Sequence, residues 1–122
     1  MTMKQALWAC KNLPEEIRGA HARLACLADD LDRASYEGAY VEAKKKMEGE
    51  GARTVRMEDR LRIAREKVLE GAIRLPATET EVVVAFYLQD KTISTIAQAR
   101  RCDTRYVKRC KARAVARLLG GG

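Results

Sequence analysis

From Lys91 onward the chain carries nine lysines and arginines and a single acid, Asp103. A run this one-sided, interleaved with helix-spaced apolar residues, suits phosphate, because each neutralised phosphate releases condensed counterions and that release drives binding to nucleic acid. On charge alone, a solvated basic helix face fits as well. The spacing adds direction. At a helical period Val107, Cys110, Ala114, Val115 and Leu118 fall on one face, whereas Thr104, Arg105, Lys108 and Arg109 project from another. The first set is built to pack and the second to reach outward.

The other reactive residue types lack the neighbours that chemistry would need. Cys10, Cys26, Cys102 and Cys110 form no C-x-x-C pair, and His21, the only histidine, has no companion at metal-ligand spacing. Zinc is therefore not expected, nor any other metal or cofactor. Asp29, Asp30 and Asp32 point in different directions on a helix and read as solvated charge rather than a divalent-ion site. No cysteine lies near a sequence-local base or a glycine-rich phosphate loop, and His21 reads as a helix-surface residue, so the chain is expected not to be an enzyme. No signal peptide opens the sequence, and no segment reaches the roughly 18 uninterrupted apolar residues that span a bilayer. The expected setting is soluble, reducing and cytoplasmic, with the cysteines serving as small apolar residues and no membrane as partner.

The elements that must hold the basic face are helical. The chain has 122 residues with 47% apolar content, enough for one modest core, and no stretch alternates apolar and polar residues long enough to argue for a strand. An all-α fold follows. Cys10, Leu13, Ile17, Ala20, Leu24, Leu27, Leu31 and Ala34 alternate steps of three and four, the spacing of a helix seam. Pro14 predicts a helix start there, with Met1 to Asn12 as a separate short helix or kinked extension. Lys44 to Arg53 has no apolar period and contains Gly49 and Gly51, which predicts a mobile loop near 44–53. Met57, Leu61, Ala64, Val68, Gly71 and Leu75 supply a second seam that can lie antiparallel to the first as a helical hairpin over 1–74. An alternative use of the seam is a homodimer through these N-terminal helices.

Beyond the hairpin, Thr78 and Glu81 stand at the spacing of a capping box and predict a helix through Val82 to about Leu88. Asp90-Lys91 supplies a turn, Thr92 caps a short helix from Ile93 to about Arg100, and Asp103 or Thr104 caps a last helix to about Leu119. Ile96-Ala97 followed after a turn by Val107 is a helix-turn-helix pattern, in which the small alanine lets two helices cross closely. Residues 120–122, all glycine, are expected to form a flexible tail.

Together with the Leu75-Pro76 opening, Phe86-Tyr87-Leu88 and the basic last helix, this segment resembles region 4 of bacterial sigma factors over residues 75–119. The resemblance implies that Ile93 to Ala97 belong to the first helix of the motif and Asp103 to Leu118 to the recognition helix. By position it assigns Thr104, Arg105, Lys108 and Arg109 to base edges. Arg105 and Arg109 can then donate paired hydrogen bonds to guanine, and Lys108 can donate to a base or a phosphate. Arg100, Arg101, Lys111, Arg113 and Arg117 are left to hold the DNA backbone. Tyr106 fits a sugar-phosphate contact or packing on the preceding helix equally well. Two positions depart from the family: Arg100 replaces a core leucine and must snorkel or find a partner, and Arg101 replaces a turn glycine and must accept positive φ.

The order of a helical N-terminal half, a polar loop, a second helix and a terminal module is also similar to small phage and prophage transcriptional regulators, which implies a bacterial host cell and a partner in double-stranded DNA. RNA polymerase is a second partner consistent with this layout, since one small module alone gives a limited footprint. Two alternatives stay open. One is a DNA-packaging protein resembling small terminase subunits, although those commonly place the DNA-binding part first. The other is an adaptor that contacts RNA polymerase without reading bases.

Overall fold

The computed structural model describes residues 1–120, and every regular element among them is a helix. Helix α1 spans Met3–Asp32, α2 Glu37–Ala72, α3 Ala77–Val83, α4 Ile93–Arg100 and α5 Thr104–Gly120, with one wider π turn at Val84–Leu88 following α3. The all-α expectation holds. Gly120 ends α5, and the remainder of the expected tail, Gly121 and Gly122, lies outside the described residues. No described helix is long and apolar enough to cross a membrane, and no described group of His, Cys, Asp or Glu could hold a metal ion.

The two long helices differ from expectation in instructive ways. α1 does not start at Pro14 but runs through it from Met3. Its start is set by a reciprocal capping box missed in the sequence: Gln5 N–H donates to Thr2 Oγ1 at 3.1 Å while Thr2 N–H donates to Gln5 Oε1 at 2.9 Å. An interior proline costs about 3 kcal/mol, which the burial of Ala6, Leu7, Ala9, Cys10 and Leu13 along the same helix offsets. α2 likewise runs unbroken through residues 44–53, so the expected mobile loop is helix. Its lysines, glutamates and Met47 are strong helix formers, and each glycine costs only about 1 kcal/mol. Thr54 adds a local anchor by donating its hydroxyl to the Glu50 carbonyl at 2.8 Å.

Two compact units divide the chain: Asn12–Arg60, and Met1–Lys11 together with the chain from Leu61. The N-terminal end of α1 and the C-terminal end of α2 thus group with the C-terminal helices. A Cβ added at Gly71 of α2 would lie 2.7 Å from Leu118 Cδ2 of α5 and 2.9 Å from Met3 Cε of α1, so these elements already meet at close range. In the Asn12–Arg60 unit, α1 and α2 lie antiparallel as a helical hairpin. His21 Nε2 sits 3.1 Å from Glu58 Oε1, and Arg23 Nε 2.8 Å from Glu50 Oε1.

The cysteines are unpaired, with Cys10 and Cys110 buried and Cys26 exposed. Burial pushes the Cys10 thiol above its ordinary pKa of 9.0, with Arg65 only partly opposing it. At about pH 8 Cys10 therefore stays protonated and unreactive. Iodoacetamide is expected to label Cys26 first and to reach Cys10 and Cys110 only on unfolding. Peptide mapping by mass spectrometry reads this directly, and early labelling of Cys10 or Cys110 in the native protein would refute the packing described.

Candidate nucleic-acid interface

The geometry of the C-terminal module follows from its corners. α4 is capped by Thr92, whose hydroxyl accepts from Thr95 N–H at 3.1 Å. It ends at Arg101 in the left-handed region, φ 53° and ψ 46°. There Cys102 N–H donates to the Ala97 carbonyl at 3.0 Å and Arg101 N–H to that of Gln98 at 3.2 Å, a Schellman closure that normally takes glycine. Asp103 then caps α5 by accepting from Arg105 N–H at 2.8 Å. Val82, Ile96, Ala97, Val107 and Cys110 form one buried cluster, against which Ala85, Phe86, Ile93 and Cys102 pack. Ile96 and Ala97 of α4 thus meet Val107 of α5 in one core.

Upstream, the expected capping box is absent. α3 starts after Pro76 with no side-chain cap, and Thr80 turns its hydroxyl back to donate to the carbonyls of Ala72, at 2.6 Å, and Leu75, at 3.1 Å. Thr80 thereby closes the end of α2. Glu81, freed from capping, pairs with Arg100 across the turn. That hydrogen bond raises the Arg100 guanidinium above its usual value, against a smaller opposing effect of burial. Arg100 thus meets a carboxylate within the module.

The π turn puts Phe86 where two lysines meet it. Lys11 Nζ of α1 lies 3.7 Å from the ring centroid and Lys111 Nζ of α5 4.3 Å. Lys11 also donates to the Phe86 carbonyl at 3.2 Å and reaches Asp90 Oδ1 at 3.4 Å. Phe86 and Tyr87 make an edge contact with centroids 4.9 Å apart. Tyr87 is buried, which raises its phenol pKa, with Cys10 adding a smaller push in the same direction. Lys11 is a positioning residue that sequence reasoning missed. It stands 75 positions from Phe86 and no local pattern marks it.

The nine expected DNA-contacting residues separate into two groups. Thr104, Arg105, Lys108 and Arg109 occupy the first turns of α5 and are exposed. Among the described residues none of their side chains forms an ion pair or a side-chain hydrogen bond with another side chain. Val107, Cys110, Ala114 and Leu118 are buried on the opposite side, with Val115 half-buried. Of the five backbone candidates, Arg101 is exposed at its left-handed corner, but the other four are engaged within the protein. Arg100 holds Glu81, Lys111 lies over Phe86, and Arg113 approaches Cys110 Sγ at 3.6 Å. Arg117 Nε sits 3.3 Å from Glu79 Oε1. Tyr106 is 39% exposed beside the basic residues rather than packed away.

Glu79 is the least comfortable group in the module. Its side chain is 6% exposed, and neither carboxylate oxygen accepts a hydrogen bond among the described residues, so Arg117 is the counter-charge that holds it. Position in the first turn of α3 adds a favourable dipole interaction.

Arg101 carries a stability cost that a glycine would avoid. Arg101→Gly is expected to raise stability by about 0.5–1 kcal/mol, because a side chain in the left-handed region is strained. Urea denaturation measures it, and a fall in stability would mean that the Arg101 side chain holds the turn together.

No protein-family model matches the chain, and no curated protein or solved structure is significantly similar to it.

Proposed function

We propose that this protein is a sequence-specific double-stranded DNA-binding regulator of transcription, of the kind the resemblance implies for phage or prophage genes, reading the major groove with the N-terminal half of α5. One observation carries the reading: Thr104, Arg105, Lys108 and Arg109 share an exposed surface without internal partners, whereas four other basic side chains of the same module are committed to internal contacts. Unpaired guanidinium groups on a rigid helix backed by a closed core are what bidentate recognition of guanine requires. Arg101, strained and solvent-facing at the turn, adds a phosphate contact that gives a reason to keep charge where glycine would fit better.

The test is selection of bound sequences from a pool of random duplexes by the purified protein, repeated across salt concentrations. A recovered motif supports the reading. Salt-sensitive binding without a motif favours DNA packaging or a polymerase-tethered role, and absence of binding at low salt overturns it.

A further inference from the structure

The Asn12–Arg60 hairpin is under-packed. Between residues 21 and 53 only Ala43 is a buried hydrophobic residue, while Leu24, Leu27, Leu31 and Met47 reach only half-burial. Two helices alone cannot cover stripes of this width, and a bundle normally supplies further helices for the purpose. One side of the hairpin carries an open groove of ≈ 380 Å³, in which Leu24 and Leu31 of α1 face Tyr40, Met47 and Gly51 of α2. Its rim holds Lys44 and Glu48, one turn apart and without an ion pair among the described residues. Tyr40 is 46% exposed, and nothing lies within 4 Å of the place a Cβ would take on Gly51.

We propose that this groove is closed by the same groove of a second copy of the chain, with the two α2 helices antiparallel about a two-fold axis. The pattern is self-complementary. Tyr40, Lys44, Met47 and Gly51 follow steps of four, three and four along one helix face, the spacing of a packing seam. In an antiparallel pair the register that sets Tyr40 opposite Gly51 of the second copy also sets Lys44 opposite Met47 and beside Glu48. By symmetry each contact occurs twice, as isologous interfaces require. The aromatic ring fills the open space over Gly51, and Lys44, which forms no ion pair with Glu48 of its own helix among the described residues, meets Glu48 of the second copy. This inference stands whether or not α5 binds DNA.

The measurement is sedimentation equilibrium of the full-length protein, with circular dichroism to show that each variant keeps its helices. Wild type is expected at twice the 13.7 kDa chain mass at micromolar concentration. Lys44→Glu and Glu48→Lys each set like charges together and should raise the dimer dissociation constant about tenfold, while the double swap K44E/E48K restores it. Tyr40→Ala should weaken it by about tenfold or more. A monomer at all concentrations overturns the proposal. So does a dimer indifferent to these changes, or a higher oligomer such as a ring. A double swap that does not recover the wild-type constant overturns the register.

Discussion

Replacing Arg109 with alanine is expected to weaken binding to the preferred duplex by about 1–3 kcal/mol, roughly five- to 150-fold, while leaving folding stability within about 0.5 kcal/mol of wild type. The two halves of this expectation have separate causes. Arg109 is exposed on α5 and makes no ion pair or side-chain hydrogen bond among the described residues, so its removal breaks nothing inside the protein. On DNA, the loss of a bidentate donor leaves guanine O6 and N7 desolvated and unpaired, and that penalty falls on one base pair rather than on all sequences alike. Arg105→Ala should behave in the same way at a different base pair. Lys108→Ala, if its ammonium rests on a phosphate, should weaken every duplex by a similar factor and lower the salt slope by about 1. Fluorescence anisotropy titrations on the selected site and on single-base variants of it separate these outcomes. Equal losses for Arg109→Ala on every duplex would remove it from the base-reading set.

The second large effect concerns stability. Arg117→Met should destabilise the protein by about 2–3 kcal/mol, because it leaves the Glu79 carboxylate buried with neither counter-charge nor hydrogen bond. The expected size lies below that of a fully buried pair, since the Arg117 side chain is 54% exposed and water already screens its end of the interaction. The paired change Glu79→Leu with Arg117→Met removes both charges and should recover most of the loss, an apolar pair of similar volume being no worse than a desolvated ionic one. Urea midpoints at unchanged slope measure both variants. A loss under about 0.5 kcal/mol for Arg117→Met would mean that Glu79 has other support. Because Arg117 is tied to Glu79, its substitution is expected to act on DNA binding far less than Arg109→Ala when measured below the unfolding transition.

How much of this was legible in the sequence depends on the range of the interaction. Thr92 and Asp103 announced the starts of α4 and α5 because capping is decided within two or three residues. Ile96, Ala97 and Val107 announced the crossing because periodicity records which face is buried. The strain at Arg101 was legible only through the resemblance, which places a turn glycine there; the hydrogen bonds that impose the left-handed conformation belong to the fold. Long-range compensation was not legible. Pro14 and Gly49 and Gly51 read as breaks, yet α1 and α2 pass through them, because burial elsewhere on the same helices outweighs a few kcal/mol of local cost. The capping box at Thr78 and Glu81 had the right spacing but lost its glutamate to Arg100, 19 residues away. Lys11 over Phe86 and Arg117 beside Glu79 likewise depend on partners far along the chain. For the candidate interface the consequence is specific. The outward direction of Arg105, Lys108 and Arg109 could be read from helical spacing, and Arg100 was expected to need a partner, but which groups engage Arg100, Lys111 and Arg117 could not be read.

Amide chemical-shift mapping of the 15N-labelled protein during titration with the selected duplex shows whether the early turns of α5 are the surface that meets DNA. The largest perturbations are expected at Thr104 to Arg109, with Arg101 beside them, and are expected to collapse on adding salt. Perturbations centred instead on the other lysine run, Lys44 to Lys46 of α2, or an unchanged spectrum with every duplex offered, would contradict this role for α5.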